Sequence, residues 1–337
     1  MKWLSFLVLS FLSILYSCSS DEDQTNFVRD DEGYNWTIPD ETLTGSFNPF
    51  SLAKDPVLTR VSEVNSISDA SLVAMVSFGN EIRVYPYQYI SKFESVNDVI
   101  DGKNIAMTYC PITKSGLCID RNFKGEVFTL RASGYLHNDN VILYDEKSDT
   151  FWSQMKGECI NGKYAGATIG TYNFIETTWK TVKENFKNAL VFTNTSIANN
   201  KSDLLKRKDG DIEKSEKVFG YFGVSKNINR EINIYRYKSF ASGIQLFPKN
   251  SSGSNIITIG SEDKNFITSY VNEKNVKFTA IQNQFPIVME DQNSNVWNVF
   301  GIAVSGPRKG DQLESPISFV ASWWAWDVFY DDFIFTD

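Results

Sequence analysis

Histidine is almost missing: the 337 residues contain one, His137. Zinc sites built from two or three histidines are therefore excluded, and a cysteine or serine nucleophile would have a single imidazole to serve as its base. Long apolar runs are missing too. Beyond the N-terminal stretch, none reaches the roughly 18 consecutive apolar residues that a membrane-crossing helix needs. Basic charge is modest and scattered, 33 Lys and Arg against 41 Asp and Glu for a net charge of -8, so the clustered basic face that a nucleic-acid partner would want is not expected. Cysteine is limited to four residues, and no motif calls for a cofactor or a metal. The hydrophobic fraction, 42% with 14% aromatic, is nevertheless ample for a real core and excludes a disordered chain.

The N-terminus carries a positive residue, Lys2, and then an apolar run from Leu4 to Tyr16, too short to span a bilayer and suited to a signal peptide. Leu15-Tyr16-Ser17-Cys18 resembles the lipobox of bacterial lipoproteins, which implies removal of residues 1–17 and a lipid such as palmitate on Cys18. The plainer alternative is an ordinary signal peptide with a chance cysteine. The acidic Ser19-Ser20-Asp21-Glu22-Asp23 looks like the signal that sends some lipoproteins to the outer face of the outer membrane, and could equally be a solvated tether. A lipid-anchored envelope protein, facing the cell surface and not crossing the membrane, is the expectation.

Residues 18–59 read as a polar tether and lead-in, with Trp36 and Phe50 as isolated sticky points. From Val73 onward, short runs rich in β-branched and aromatic residues are separated by Gly79-Asn80, Asp101-Gly102 and Lys124-Gly125, the punctuation of antiparallel hairpins. One helix is predicted over 176–186, with Trp179, Val182 and Phe186 on one face. A charged, Asn- and Ser-rich linker follows at 194–217. The expected class is mainly β with a few short helices, α+β being the variant.

Past the linker the chain repeats itself. Ile82–Tyr87 (IRVYPY) matches Ile232–Tyr237 (INIYRY), and with small slips Trp152 falls beside Trp297, Gly157 beside Gly301, Gly162 beside Gly306 and Trp179 beside Trp323. This order implies two similar antiparallel β-rich halves, 60–193 and 218–337, from an internal duplication. Shared positions are best explained by the scaffold. Residues confined to the first half, including Cys110, Cys118 and His137, are freer to act, so any site is expected there.

The series Tyr85-Pro86, Val96-Asn97-Asp98, Thr108-Tyr109-Cys110-Pro111, Asp120-Arg121, Ser133-Gly134, Asn138, Tyr144-Asp145, Trp152-Ser153-Gln154 and Thr177-Thr178-Trp179 resembles the bacterial family catalogued as domain of unknown function 3179, strongly over 70–193 and weakly beyond. The pattern departs at Phe93, where members often carry a histidine before Glu94, and at Thr113, where some carry a second cysteine. The family carries no settled activity; the expectation is a ligand or partner site in the first half, with Asn97, Asp98, Tyr109, Cys110, Ser133, Asn138, Asp145 and Gln154 as candidates, taking a small molecule or another envelope protein.

The alternative is an envelope enzyme or redox protein using Cys110. Without a cysteine at 113 a dithiol motif is incomplete. With Cys18 lipidated, Cys110, Cys118 and Cys159 are an odd set: buried thiols, one Cys110–Cys118 disulfide or a reactive Cys110 are all compatible with the sequence. His137 reads as a loop or bulge residue. Asp145–Asp149 and Asp291–Asn295 read as hairpin turns held by side-chain hydrogen bonds, the second falling short of a calcium loop at Val296 and Ile302. The cluster Trp323-Trp324-Ala325-Trp326 reads as a core anchor ahead of a sugar-stacking platform.

Overall fold

The structure, a computed structural model, describes residues 28–29, 33–193, 208–209, 212–223 and 231–336. The expected signal peptide, Cys18, the acidic stretch after it and most of the linker lie outside the described residues. Among the described residues no helix is long and apolar enough to cross a membrane.

The chain is mostly β. The first half runs β1 (Leu43–Gly45), β2 (Ala53–Lys54), β3 (Leu58–Arg60), β4 (Leu72–Phe78), β5 (Glu81–Pro86), the short helix α1 (Tyr87–Ile90), β6 (Ser95–Ile100), β7 (Lys103–Cys110), β8 (Ser115–Asp120), β9 (Leu130–His137), β10 (Asn140–Asp145), β11 (Thr150–Ser153), β12 (Glu158–Asn161), β13 (Ile175–Thr178), α2 (Trp179–Asn185) and β14 (Leu190–Phe192). The second runs β15 (Lys217–Phe222), β16 (Ile232–Arg236), β17 (Gln245–Ser251), β18 (Ser254–Ser261), β19 (Phe266–Val271), β20 (Phe278–Ala280), β21 (Ile287–Asp291), β22 (Val296–Asn298), β23 (Ala303–Ser305), β24 (Ser318–Ser322), α3 (Trp323–Phe329) and β25 (Phe333–Thr336).

Pairings recur between the halves. The hairpin β4–β5 carries β13 on one side and parallel β14 on the other; β15–β16 carries β24 and parallel β25 in the same way. The antiparallel set β6–β7–β8 answers to β17–β18–β19, and the meander β9–β12 to β20–β23. Trp152 and Trp297 each sit at a register slip in their meander. Gly162 and Gly306 share φ of +96° and +92°, and at both a Cβ would come 2.4 Å from a backbone oxygen, which is why neither position takes a larger residue.

The halves are not separate sandwiches. Gly116 of β8 pairs with Val320 of β24, so one sheet runs β25-β16-β15-β24-β8-β7-β6-β2 and combines strands of both halves. The largest core cluster is likewise shared, holding Val84, Met107 and Trp179 together with Ile259, Trp297 and Trp326.

Three local expectations need correction. The lead-in is packed from residue 33: Trp36 is fully buried, β1 pairs with β9, β2 with β6 and β3 with β14. The reason lies in β10, where Val141 and Leu143 face the main core while Ile142 and Tyr144 face Trp36 and Phe151; alternation buries both faces, and the lead-in covers the second. The helix α2 starts at Trp179 and not at 176, because Ile175–Thr178 pairs with β4 and the Thr178 hydroxyl then caps the helix, accepting from Thr181 N at 3.3 Å. The end of the linker is ordered: Lys214 O and Glu216 O accept from the first turn of α3, and Glu216 pairs with Arg236 at 2.9 Å.

Candidate functional site

The central feature is where α1 returns to the sheet. After Ile90 the chain turns through Ser91–Phe93, with Phe93 N and Glu94 N both donating to Ile90 O. Glu94 then adopts φ +56° and its carbonyl accepts from Tyr109 N at 3.0 Å. That left-handed conformation at a helix exit is glycine's position; a glutamate there costs about 1 kcal/mol or more. Glu94 is 8% exposed, and among the described residues its side chain makes no hydrogen bond or ion pair. Burial alone raises its pKa from 4.5 to about 8, so at neutral pH it holds its proton.

Glu94 faces the end of β7. Tyr109 is half-buried and stacks on Tyr87 with centroids 4.0 Å apart and planes 8° apart. The Tyr87 hydroxyl is buried with no hydrogen-bond partner and lies over Gly116, where a Cβ would come within 2.9 Å of it. Cys110 is fully buried, its Sγ 3.7 Å from the carbonyl of Asp139 in the β9–β10 turn. Burial first, and the neighbouring Glu94 second, push its thiol up to about 11.

Beneath these residues lies a closed polar lattice. Gln154 Oε1 accepts from Ser115 Oγ at 2.6 Å and Asn140 Nδ2 at 2.8 Å, while its Nε2 donates to Thr108 Oγ1 at 2.8 Å. Asn140 also donates to Thr113 Oγ1 at 3.0 Å and accepts from Met155 N. Thr108, Thr113, Ser115, Asn140 and Gln154 all show no exposure. A fully satisfied network of this kind fixes geometry, here that of the β7–β8 hairpin carrying Tyr109 and Cys110 against β10 and β11.

Across the Tyr87–Tyr109 stack is a second buried carboxylate, Glu176 of β13. Lys217 of β15 donates to its two oxygens at 2.5 and 2.6 Å, and Tyr237 to one of them at 3.3 Å. The Lys217 ammonium lies 5.4 Å from the Tyr87 ring centroid, within cation–π range.

Of the eight residues expected from sequence, the structure gathers four. Tyr109 and Cys110 are adjacent at the end of β7, Asn138 forms the turn beside Cys110, and Gln154 lies beneath. The others are braces elsewhere. Asn97 ties β6 to Leu130 and to the Ala53 carbonyl of β2. Asp98 accepts from Tyr85 Oη at 2.7 Å. Ser133 holds the bulge in β9 by donating to Ile142 O. Asp145 caps its turn by accepting from Thr129 N and from Ser148 N and Oγ, at the edge of a hollow of about 270 Å³. Tyr87, Glu176 and Lys217 were not singled out as site residues in the sequence, and Glu94 appeared there only beside the departure at Phe93, because a glutamate in glycine's conformation and an ion pair spanning the halves leave no local pattern.

The remaining chemistry is corrected or resolved. His137 is no loop residue: it ends β9, is 2% exposed, lies 3.0 Å from Ser153 Oγ and packs edge-on against Phe329. Burial pushes its pKa down to about 4. Cys110, Cys118 and Cys159 are all free and buried; in register Cys110 faces Ser115 and Cys118 faces Met107, so the disulfide is not formed. Trp323 and Trp326 are core, the latter stacked on Phe319 at 4.1 Å. Asp291 accepts from Asn293 N and Asn295 N in the expected turn.

Fold and site together define a mainly antiparallel β protein whose two halves share one sheet, with a strained buried acid beside an aromatic stack at their junction. The chain belongs to the DUF3179 family of proteins of unknown function, whose family model matches residues 52–333 and so spans both halves. No curated protein and no solved structure matches it.

Proposed function

We propose that this is a lipid-anchored binding protein of the cell envelope, tethered through Cys18 at the outer membrane with its folded part facing the surface, and taking a small molecule at Glu94, Tyr109 and Cys110. A duplicated β-rich unit supplies the scaffold, and the first copy supplies the ligand contacts. The observation that carries the binding reading is Glu94: a residue only 8% exposed, with no side-chain hydrogen bond or ion pair among the described residues, in a backbone conformation that glycine would adopt at lower cost. Backbone strain of this kind is retained where function uses it. The motif at Cys18 supports the anchor.

An enzyme using Cys110 is disfavoured, because a thiol with no exposure and a pKa near 11 is a poor nucleophile at neutral pH. The test is native mass spectrometry of the full chain purified from its own membrane in mild detergent. A small-molecule adduct present in the wild type and lost in E94G is expected. An adduct unaffected by E94G, or none at all, would defeat the reading. The anchor is tested separately: C18A should move the protein from the membrane to the soluble fraction, and unchanged membrane association would refute it.

A further inference from the structure

The two halves part company at one sheet edge. In the first half β14 lies parallel beside β5, with Leu190 against Arg83 and Val191 against Val84. Its outer side is closed by β3, which runs antiparallel and sets Arg60 against Leu190, Thr59 against Val191 and Leu58 against Phe192. Flanking bonds extend the cover: Val61 N donates to Ala189 O at 3.0 Å, Ser62 N to Lys187 O at 3.3 Å and Thr193 N to Val57 O at 3.1 Å. Val191 is fully buried as a result.

In the second half β25 lies parallel beside β16 in the same way, with Ile334 against Asn233 and Phe335 against Ile234. The sequence shift of 150 that carries Ile82 onto Ile232 also carries Arg83 onto Asn233 and Val84 onto Ile234. Ile334 therefore stands where Leu190 does, and Phe335 where Val191 does. Yet β25 ends its sheet, and among the described residues no strand pairs with its outer side. Phe335 is 41% exposed where Val191 is 0%. A bare edge with an apolar, uncharged run is a template for another strand.

The charge around this edge is of one sign. From Gly310 to the C-terminus the chain has six acidic residues and no basic one. Two of the acids, Asp331 and Asp332, are exposed and lead directly into β25. Counted along the strand, they stand where the first half has Lys187 and Asn188.

We infer that the outer edge of β25 receives an extended segment of another protein as an antiparallel strand, with apolar residues against Ile334 and Phe335 and lysine or arginine beside Asp331 and Asp332. The direction follows from the first half, where β3 runs antiparallel and the residues after it reach Lys187. Basic residues must accordingly follow the apolar ones in the incoming segment. In strand addition the main-chain bonds supply affinity and the side chains specificity. A second copy of this chain is a poorer occupant, because antiparallel pairing of β25 with itself brings acid towards acid at both ends, and like charges across a strand pair are destabilising. This edge is separate from the ligand site at Glu94.

The test is fluorescence anisotropy of the full chain, solubilised in mild detergent, with the dye-labelled peptide acetyl-TVTVTKRK-amide. Saturable binding is expected, roughly fivefold weaker or more for the reversed order KRKTVTVT and for D331N/D332N. F335K, a change at an exposed side chain, should weaken binding by about tenfold with the urea midpoint unmoved. N-methylation of alternate peptide nitrogens should abolish binding in one register and spare it in the other, since only every second N–H of an added strand faces the edge. No binding, equal binding of the reversed peptide, equal loss in both N-methyl registers, or an unchanged affinity in either variant would overturn the inference. Photo-crosslinking through benzoylphenylalanine at position 335, without peptide, tests the other occupants. Attachment to residues 194–207 of the same chain, or to a second copy, would show the edge already filled and would overturn it as well; neither product is expected.

Discussion

Glu94 shows what one residue can reveal when its conformation and its chemistry are at odds. A folded-state pKa of about 8 against an ordinary 4.5 means that the folded protein keeps a proton that the unfolded chain has lost. Its contribution to stability is therefore present at low pH, falls as pH rises from about 4.5 to about 8, and stays level above. Urea midpoints of wild type and E94Q should diverge in that window in favour of E94Q; parallel curves would mean that the carboxyl is not buried as described. His137 works in the opposite sense. Its pKa is pushed down to about 4, so stability from this residue is lost as pH falls through the range from about 6.5 to about 4. At Cys110 the prediction is kinetic. A thiol without exposure should react with iodoacetamide only as fast as the structure opens, and rapid labelling of the native protein would restore the catalytic alternative.

Elements here are fixed by contacts with their neighbours more than by propensity. The helix α3 is apolar around most of its surface, and it holds because Trp326 lies flat between Phe319 and the bare backbone of Gly220. A Cβ at residue 220 would come 2.5 Å from the Trp326 ring. With the stacked Phe319 behind it, the indole cannot retreat. G220A should therefore destabilise by about 1–3 kcal/mol, measured by urea unfolding, and a neutral effect would show that α3 can slide. The strand β13 and helix α2 teach the same lesson from the other side. Residues 176–178 fit a helical pattern, yet pairing with β4 holds them extended and leaves Thr178 as the cap. Periodicity found the helix; a backbone partner about a hundred residues away set its start.

For the molecule as a whole, the consequence of a shared sheet is cooperativity. With β8 paired to β24 and one core running through both halves, tryptophan fluorescence and far-UV circular dichroism should report a single coincident unfolding transition. Two separated transitions would return the halves to independent domains. The Glu176–Lys217 pair is the buried electrostatic link across this junction, with side chains 1% and 15% exposed. Removing only the cation, as in K217M, leaves a buried carboxylate uncompensated and should cost about 3–5 kcal/mol. The double variant E176Q/K217M should recover most of that loss; failure to recover would assign the effect to packing of the lysine stem.

Strand-rich character and hairpin turns were legible in the sequence, because alternation and turn residues are local patterns. Four of the residues singled out in the sequence, Tyr109, Cys110, Asn138 and Gln154, lie near one another in the fold. Tertiary structure alone decided the rest. Asn97, Asp98, Ser133 and Asp145 carry motif-like chemistry but spend polar atoms on bracing contacts to other strands, to backbone groups for Asn97, Ser133 and Asp145 and to the Tyr85 hydroxyl for Asp98, a fate set by which strands meet. The lead-in, polar in composition, is ordered because Ile142 and Tyr144 need cover. Glu94 stands apart from neighbouring acids only through its backbone angle and its enclosure, and both arise when α1, β7 and the β9–β10 turn come together.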